Sequence, residues 1–160
     1  MVGLRQLPGH LLRRPVSLVA VALLLVNDNL LKRVMPGTLT GKLSDIAGLV
    51  LLPLALVSLA EAARYVFHRQ PWRTTVAEVQ VTTAVTAVGF TAVKLSTRVA
   101  EAFGHALGAV RWTPSAAASL LTHHAVPAFK AVVITHDATD LLALPVLVAV
   151  LLVAQVPTTT

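Results

Sequence analysis

A chain of 160 residues with 56% hydrophobic and 12% charged residues and a mean hydropathy of +0.77 departs from soluble usage, where about a quarter of residues are charged, and excludes a soluble core hiding this much apolar surface. Its net charge of +6 sits on Lys and Arg scattered between apolar blocks, not along one basic stripe, so the expected counterpart is membrane lipid and not nucleic acid. Cys is absent, which excludes a disulfide framework, a thiolate metal site and a Cys nucleophile and leaves carboxylate and imidazole as ligands for any metal.

The first apolar run, residues 16–31, follows a leader with Arg5, Arg13 and Arg14. A basic flank before a short apolar run also fits a secretory signal, but Leu-Val-Asn-Asp at its end offers no small-residue cleavage site, so an uncleaved helix is expected. Pro36 and Gly37 mark a turn. The second run, 44–63, contains Pro53, tolerable in a membrane helix whose neighbours re-satisfy the freed backbone. The third, 75–93, is rich in Thr and Val and carries Glu78 and Gln80, so it belongs inside a bundle and does not face lipid all round. The fourth, 141–156, is nearly pure Leu, Val and Ala and precedes Pro157 and a run of Thr. All are near the lower limit of the roughly 17–25 residues that span a bilayer.

Between the third and fourth runs, Val99, Phe103, Ala106 and Val110 are interspersed with Arg98, Glu101, His105 and Arg111. This pattern predicts an amphipathic helix on the membrane surface, broken by Pro114. Residues 115–135, small-residue-rich and interrupted by His123, His124 and Pro127, are the place for a re-entrant or fifth span. The expected fold is all-α: one integral membrane domain over residues 1–160, a polytopic helical bundle with four main transmembrane helices and an interfacial or re-entrant segment between the third and fourth.

Four antiparallel crossings bring the end of the first span, the start of the second, the end of the third and the start of the fourth to one membrane face. Those ends carry Asn27, Asp28 and Lys32, then Lys42, Ser44 and Asp45, then Lys94 and Arg98, then His136, Asp137, Thr139 and Asp140. Arg13, Arg14, Arg64, Arg69 and Arg73 flank the other ends and favour cytoplasmic amino and carboxyl termini. Lys32, Arg33, Lys42, Lys94, Arg98, Arg111 and Lys130 oppose that orientation in number, but several of them have Asp neighbours.

Each polar group also has a bland reading. Asp28 and Lys32, four apart, are neighbours on one helix face and neutralise each other; Asn27 and Asn29 add donors and acceptors around a carboxylate that needs a partner at this depth. Lys42 and Asp45 share a face where Gly41, Ser44, Ala47 and Gly48 permit close helix approach. Alternatively Thr40 or Ser44 caps the helix and Asp45 complements its dipole. Asp137 as N-cap and Asp140 as first-turn acid read the same way. Lys94 and Arg98 suit a helix carboxyl end. His123 and His124, adjacent on a helix, point about 100° apart and chelate poorly, whereas His136 beside Asp137 suits proton transfer or metal ligation. Their convergence favours a site: Asp28, Asp45, Asp137 and Asp140 as candidate catalytic acids, Asn27, Lys32, Lys42, Lys94 and Arg98 as ligand-binding groups, and Asp28, Asp45, Asp140 and His136 as candidate ligands of a divalent cation.

The blocks "NDNLLK", "TGKLSDIAGL", "FTAVK" and "HDATDLLALP" together resemble a group of small bacterial multi-pass membrane proteins with recurring N-D, T-G-K-L-S-D and D-x-T-D-L blocks. The resemblance follows most of the chain in order and is weakest between residues 96 and 135. It implies a bacterial plasma membrane and supplies neither reaction nor cofactor. No G-x-S-x-G elbow, H-E-x-x-H helix or P-loop occurs, and Pro114 and Ser115 lead into Ala rather than a P-S-G-H block, so whether the protein is an enzyme stays open. Three functions remain. One is a polar site binding an ion or anionic headgroup, with or without catalysis. Another is an ion- or proton-coupled transporter or its subunit, with Asp28, Glu78 and Asp45 along a polar path. The third is a structural or assembly protein that packs against a membrane-protein partner or a second copy.

Overall fold

The computed structural model describes residues 9–35, 37–68, 74–135 and 137–155; Arg5, Pro36, Arg69, Arg73, His136 and the tail from Val156 lie outside them. Among the described residues the regular elements are helical, with no strand. Three helices are long and apolar enough to cross a membrane: α1 (Pro15–Val34), α2 (Thr38–His68) and α3 (Val76–Leu95). The chain forms two compact units, Met1–Val88 with Asp140–Thr160, and Gly89–Thr139.

In the first unit, α1 packs along α2. Ser17, Ala20, Ala47, Val50, Leu54 and Val57 are buried, and small residues among them let the two backbones approach closely. Leu18, Val19, Leu25, Leu52 and Leu59 stay largely exposed, an apolar surface of the kind that marks an interaction face rather than ordinary soluble exterior. At about 1.5 Å per residue, α1 is roughly 30 Å long, a hydrocarbon thickness. The 31 residues of α2 reach about 46 Å, longer than a hydrocarbon thickness.

The sequence places the second apolar run from residue 44, with a cap at Thr40 or Ser44 as one reading of its start, but α2 begins at Thr38. Thr40 Oγ1 accepts the Gly37 N–H at 3.3 Å and donates to the Gly37 carbonyl at 2.8 Å. It closes the first turn from inside the helix, while Ser44 lies well within α2 and its hydroxyl faces α1 residues.

Within this unit, α3 buries Val79, Thr83 and Thr86, a single helical stripe, while Val81, Val85 and Val88 are exposed. The chain returns as a 3-10 helix, Ala138–Val146, that continues into α5 (Leu147–Gln155). Ala138–Leu152 is a shorter apolar helix than the first three. Leu147 and Val150 of α5 are buried, and α5 packs on α2.

In the second unit, α4 (Thr97–Leu121) starts with Ser96 Oγ accepting the Val99 N–H at 3.4 Å. Pro114 does not break it. Proline removes the hydrogen bond to the carbonyl of Val110, but Pro114 and Val110 are exposed, so that carbonyl can be solvated. Residues 115–121 complete α4, and residues 124–135 return without helix as a strap along it. The described residues therefore contain no membrane-length helix in the stretch predicted for a re-entrant or fifth span. Val132 N–H donates to the Gly104 carbonyl at 3.0 Å. A Cβ at Gly104 would lie 2.2 Å from the Val132 carbonyl oxygen, and one at Gly108 2.7 Å from that of Lys130, so both glycines are required by close backbone approach.

Candidate functional site

The turn between α1 and α2 brings together the first two polar blocks. α1 changes to π geometry over Asn27–Leu31, a local i→i+5 winding that re-aims side chains and recurs at functional sites. Asn27, at its start, is fully buried. Its Nδ2 donates to the Thr40 carbonyl at 2.7 Å and to Ser44 Oγ at 2.8 Å. Ser44 in turn donates to Asp28 Oδ1 at 3.2 Å, and Lys32 Nζ lies 2.6 Å from the same oxygen. A continuous hydrogen-bonded line thus runs from a buried amide to a half-exposed ion pair. Asn27 Oδ1 is buried and has no hydrogen-bond partner.

A third element joins at Lys42, whose Nζ lies 3.1 Å from Asp140 Oδ1 in the first turn of the 3-10 helix. Asp140 is the more enclosed partner, at 10% side-chain exposure against 32% for Lys42. Three of the chain ends predicted to meet therefore do so, through Asn27, Asp28 and Lys32 of α1, Lys42 and Ser44 of α2, and Asp140. Asp45 follows Ser44 and is half-buried. Asn29 is not part of the cluster; it is exposed and donates to the Leu25 carbonyl at 2.9 Å.

The other predicted residues belong to the second unit. Lys94 lies 5.4 Å from the centre of the Phe90 ring, a cation–π contact, and Arg98 is exposed on α4. Asp137 acts as the predicted cap: its Oδ1 accepts the Thr139 N–H at 2.8 Å and the Thr139 hydroxyl at 2.7 Å. A divalent cation does not fit the predicted donors well. Asp28 and Asp140 each hold a lysine ammonium, and the described residues include no group of three or more His, Cys, Asp or Glu arranged to bind a metal.

Two acids at the far end of α2 carry roles not predicted from sequence. Glu61, buried within α2, accepts the Gly9 N–H at 2.8 Å, and His10 Nδ1 lies 3.7 Å from its other oxygen. The signal was an isolated acid inside an otherwise apolar run. Glu78, read as lining a polar path, instead closes a capping box: it takes the Thr75 N–H at 3.0 Å while Thr75 Oγ1 accepts the Glu78 N–H at 3.2 Å. This T-x-x-E spacing is legible in sequence. Glu78 also pairs with Arg64. Ser44 and Arg64 are roughly 30 Å apart along α2, so Asp28 and Glu78 do not share one polar pocket. Gln80 is exposed.

No protein-family model, curated protein or solved structure matches the chain. Its function is read from the geometry.

Proposed function

We propose that this is a multi-pass protein of the bacterial plasma membrane whose Asp/Lys cluster at one membrane face binds a phosphate-bearing lipid headgroup. The observation that carries the proposal is Lys32, fixed by Asp28 yet 44% exposed at the hairpin end, with exposed Arg33 beside it. An ammonium has three donors, so one carboxylate oxygen does not exhaust it. Asp28 restrains the lysine before binding, which lowers the ordering cost of engaging a headgroup oxygen. The lysines on Asp28 and Asp140 favour an anionic ligand over a divalent cation.

The proposed topology has four crossings and cytoplasmic termini. Its last crossing is supported by length: nine 3-10 residues and nine α-helical residues extend roughly 18 Å and 14 Å, together close to the hydrocarbon thickness.

The deciding experiment compares Asp28→Asn, Lys32→Gln and the double variant for thermal stability in detergent, anionic lipid retained on native mass spectrometry, and complementation of a deletion strain. The expected double variant folds but loses lipid and activity. Recovery of stability, lipid and activity together would overturn headgroup binding at this pair. The competing reading is a structural clamp with an assembly role, favoured by buried Asn27 and the Lys42–Asp140 pair joining three elements. Transport through Asp28, Glu78 and Asp45 loses support because Glu78 is engaged in its own cap and by Arg64.

A further inference from the structure

The second unit contains a groove with a different charge balance. Residues 124–135 press against α4 at Gly104 and Gly108. Trp112 fixes one wall, donating Nε1–H to the Pro127 carbonyl at 2.7 Å and meeting Phe129 edge-on with ring centres 6.2 Å apart. His105 stacks on Phe129 with ring centres 5.9 Å apart. The result is an open groove of about 490 Å³, lined by Arg111, Trp112 and Ser115 of α4 and by Pro127 and Lys130 of the strap.

Arg111 and Lys130 come from different elements and line the same groove, and neither forms an ion pair among the described residues. This contrasts with the hairpin cluster, where Lys32 and Lys42 each hold an aspartate. Two like charges facing one concavity raise its positive potential and are relieved by an anion. Arg presents a planar fork suited to phosphate oxygens, Lys a mobile point charge, and the Ser115 hydroxyl a further donor. Val99, Phe103, Leu107 and Val110 leave α4 with exposed apolar surface, which suits a helix at the headgroup level.

The geometry points to a second anion site, in which Arg111 and Lys130 hold a phosphate group between α4 and the strap. The same chemistry is offered by the phosphate of an anionic lipid and by soluble phosphate. This site is independent of the headgroup reading at Lys32.

The test uses the full chain in detergent with Trp72→Phe, which leaves Trp112 as the one remaining of two tryptophans. Its fluorescence is titrated with short-chain phosphatidylglycerol and, separately, with inorganic phosphate. A saturable change with phosphatidylglycerol alone identifies lipid as the source; one with inorganic phosphate identifies a soluble ligand. Arg111→Gln with Lys130→Gln is expected to weaken binding about tenfold or more. Gly108→Ala is expected to weaken it too while keeping both cations, because its Cβ would lie 2.7 Å from the Lys130 carbonyl oxygen and displace the strap. Circular dichroism verifies that the variants remain folded, and Lys130→Arg should retain binding. No saturable change with either probe, unchanged affinity in the double variant, or unchanged affinity in Gly108→Ala would overturn the site. Asp28 and Lys32 are untouched throughout, so failure here is distinguishable from failure at the hairpin.

Discussion

Asn27 spends both amide hydrogens on α2, one on the Thr40 carbonyl and one on the Ser44 hydroxyl. Asn27→Ala should therefore lower stability by about 1–3 kcal/mol, the cost of leaving buried polar groups without a donor. Asn27→Asp should do at least as much harm, since it cannot replace those donors. Denaturation in detergent measures this, and a change within about 0.5 kcal/mol for Asn27→Ala would show that the hairpin does not depend on the amide.

Lys42 and Asp140 offer a double-mutant cycle across the longest separation in the cluster. Asp140→Asn removes the carboxylate charge 3.1 Å from a partly enclosed ammonium and should cost about 1–3 kcal/mol, below the range for a fully buried pair because Lys42 retains solvent. Lys42→Met in the same chain should recover much of the loss. Additive single effects would mean that the two residues do not stabilise one another.

Glu61 ties the segment before α1 to α2. Glu61→Ala should abolish hydrogen-exchange protection at the Gly9 amide, whereas Glu61→Gln, which keeps an acceptor, should preserve part of it. Equal protection in wild type and Glu61→Ala would show that the carboxylate does not hold Gly9.

Gly104→Ala places a Cβ 2.2 Å from the Val132 carbonyl oxygen, whereas Gly89→Ala meets nothing within 4 Å. The first should detach the strap or strain α4, destabilising by about 1–3 kcal/mol. The second should be neutral or slightly stabilising in its helix. Protease cleavage within residues 124–135 and Trp112 fluorescence report the difference; equal behaviour of the two variants would sink the close-approach argument.

The proposed four crossings place both termini on one side. Single Cys residues at Gly3, Gly37, Gln70 and Thr159 should label Gly37 from the face opposite to the other three. Labelling of Gly3 and Thr159 from opposite faces would show an odd number of crossings.

Much of the helical scaffold is legible locally. The third run, predicted at 75–93, forms α3 at Val76–Leu95, because the length of an apolar segment is written in consecutive residues. The Asp28–Lys32 pair is similarly legible, since four-residue spacing puts both on one helix face. The start of α2 is not legible in the sequence because Leu39 and Thr40 carry no strong periodic signal, whereas the turn at Gly37 is closed by Thr40 from within the helix.

The apolar helices and the polar blocks at their ends follow from the order of residues alone. Packing sets which partner each enclosed polar group meets: Asn27 with Ser44, Glu61 with Gly9, and Asp140 with Lys42. The latter two pairs are separated by 52 and 98 positions. The physical reason is that a side chain's burial and partner depend on the rotation and depth of each helix against its neighbour. Local spacing determines which residues share a face, but packing determines what that face meets.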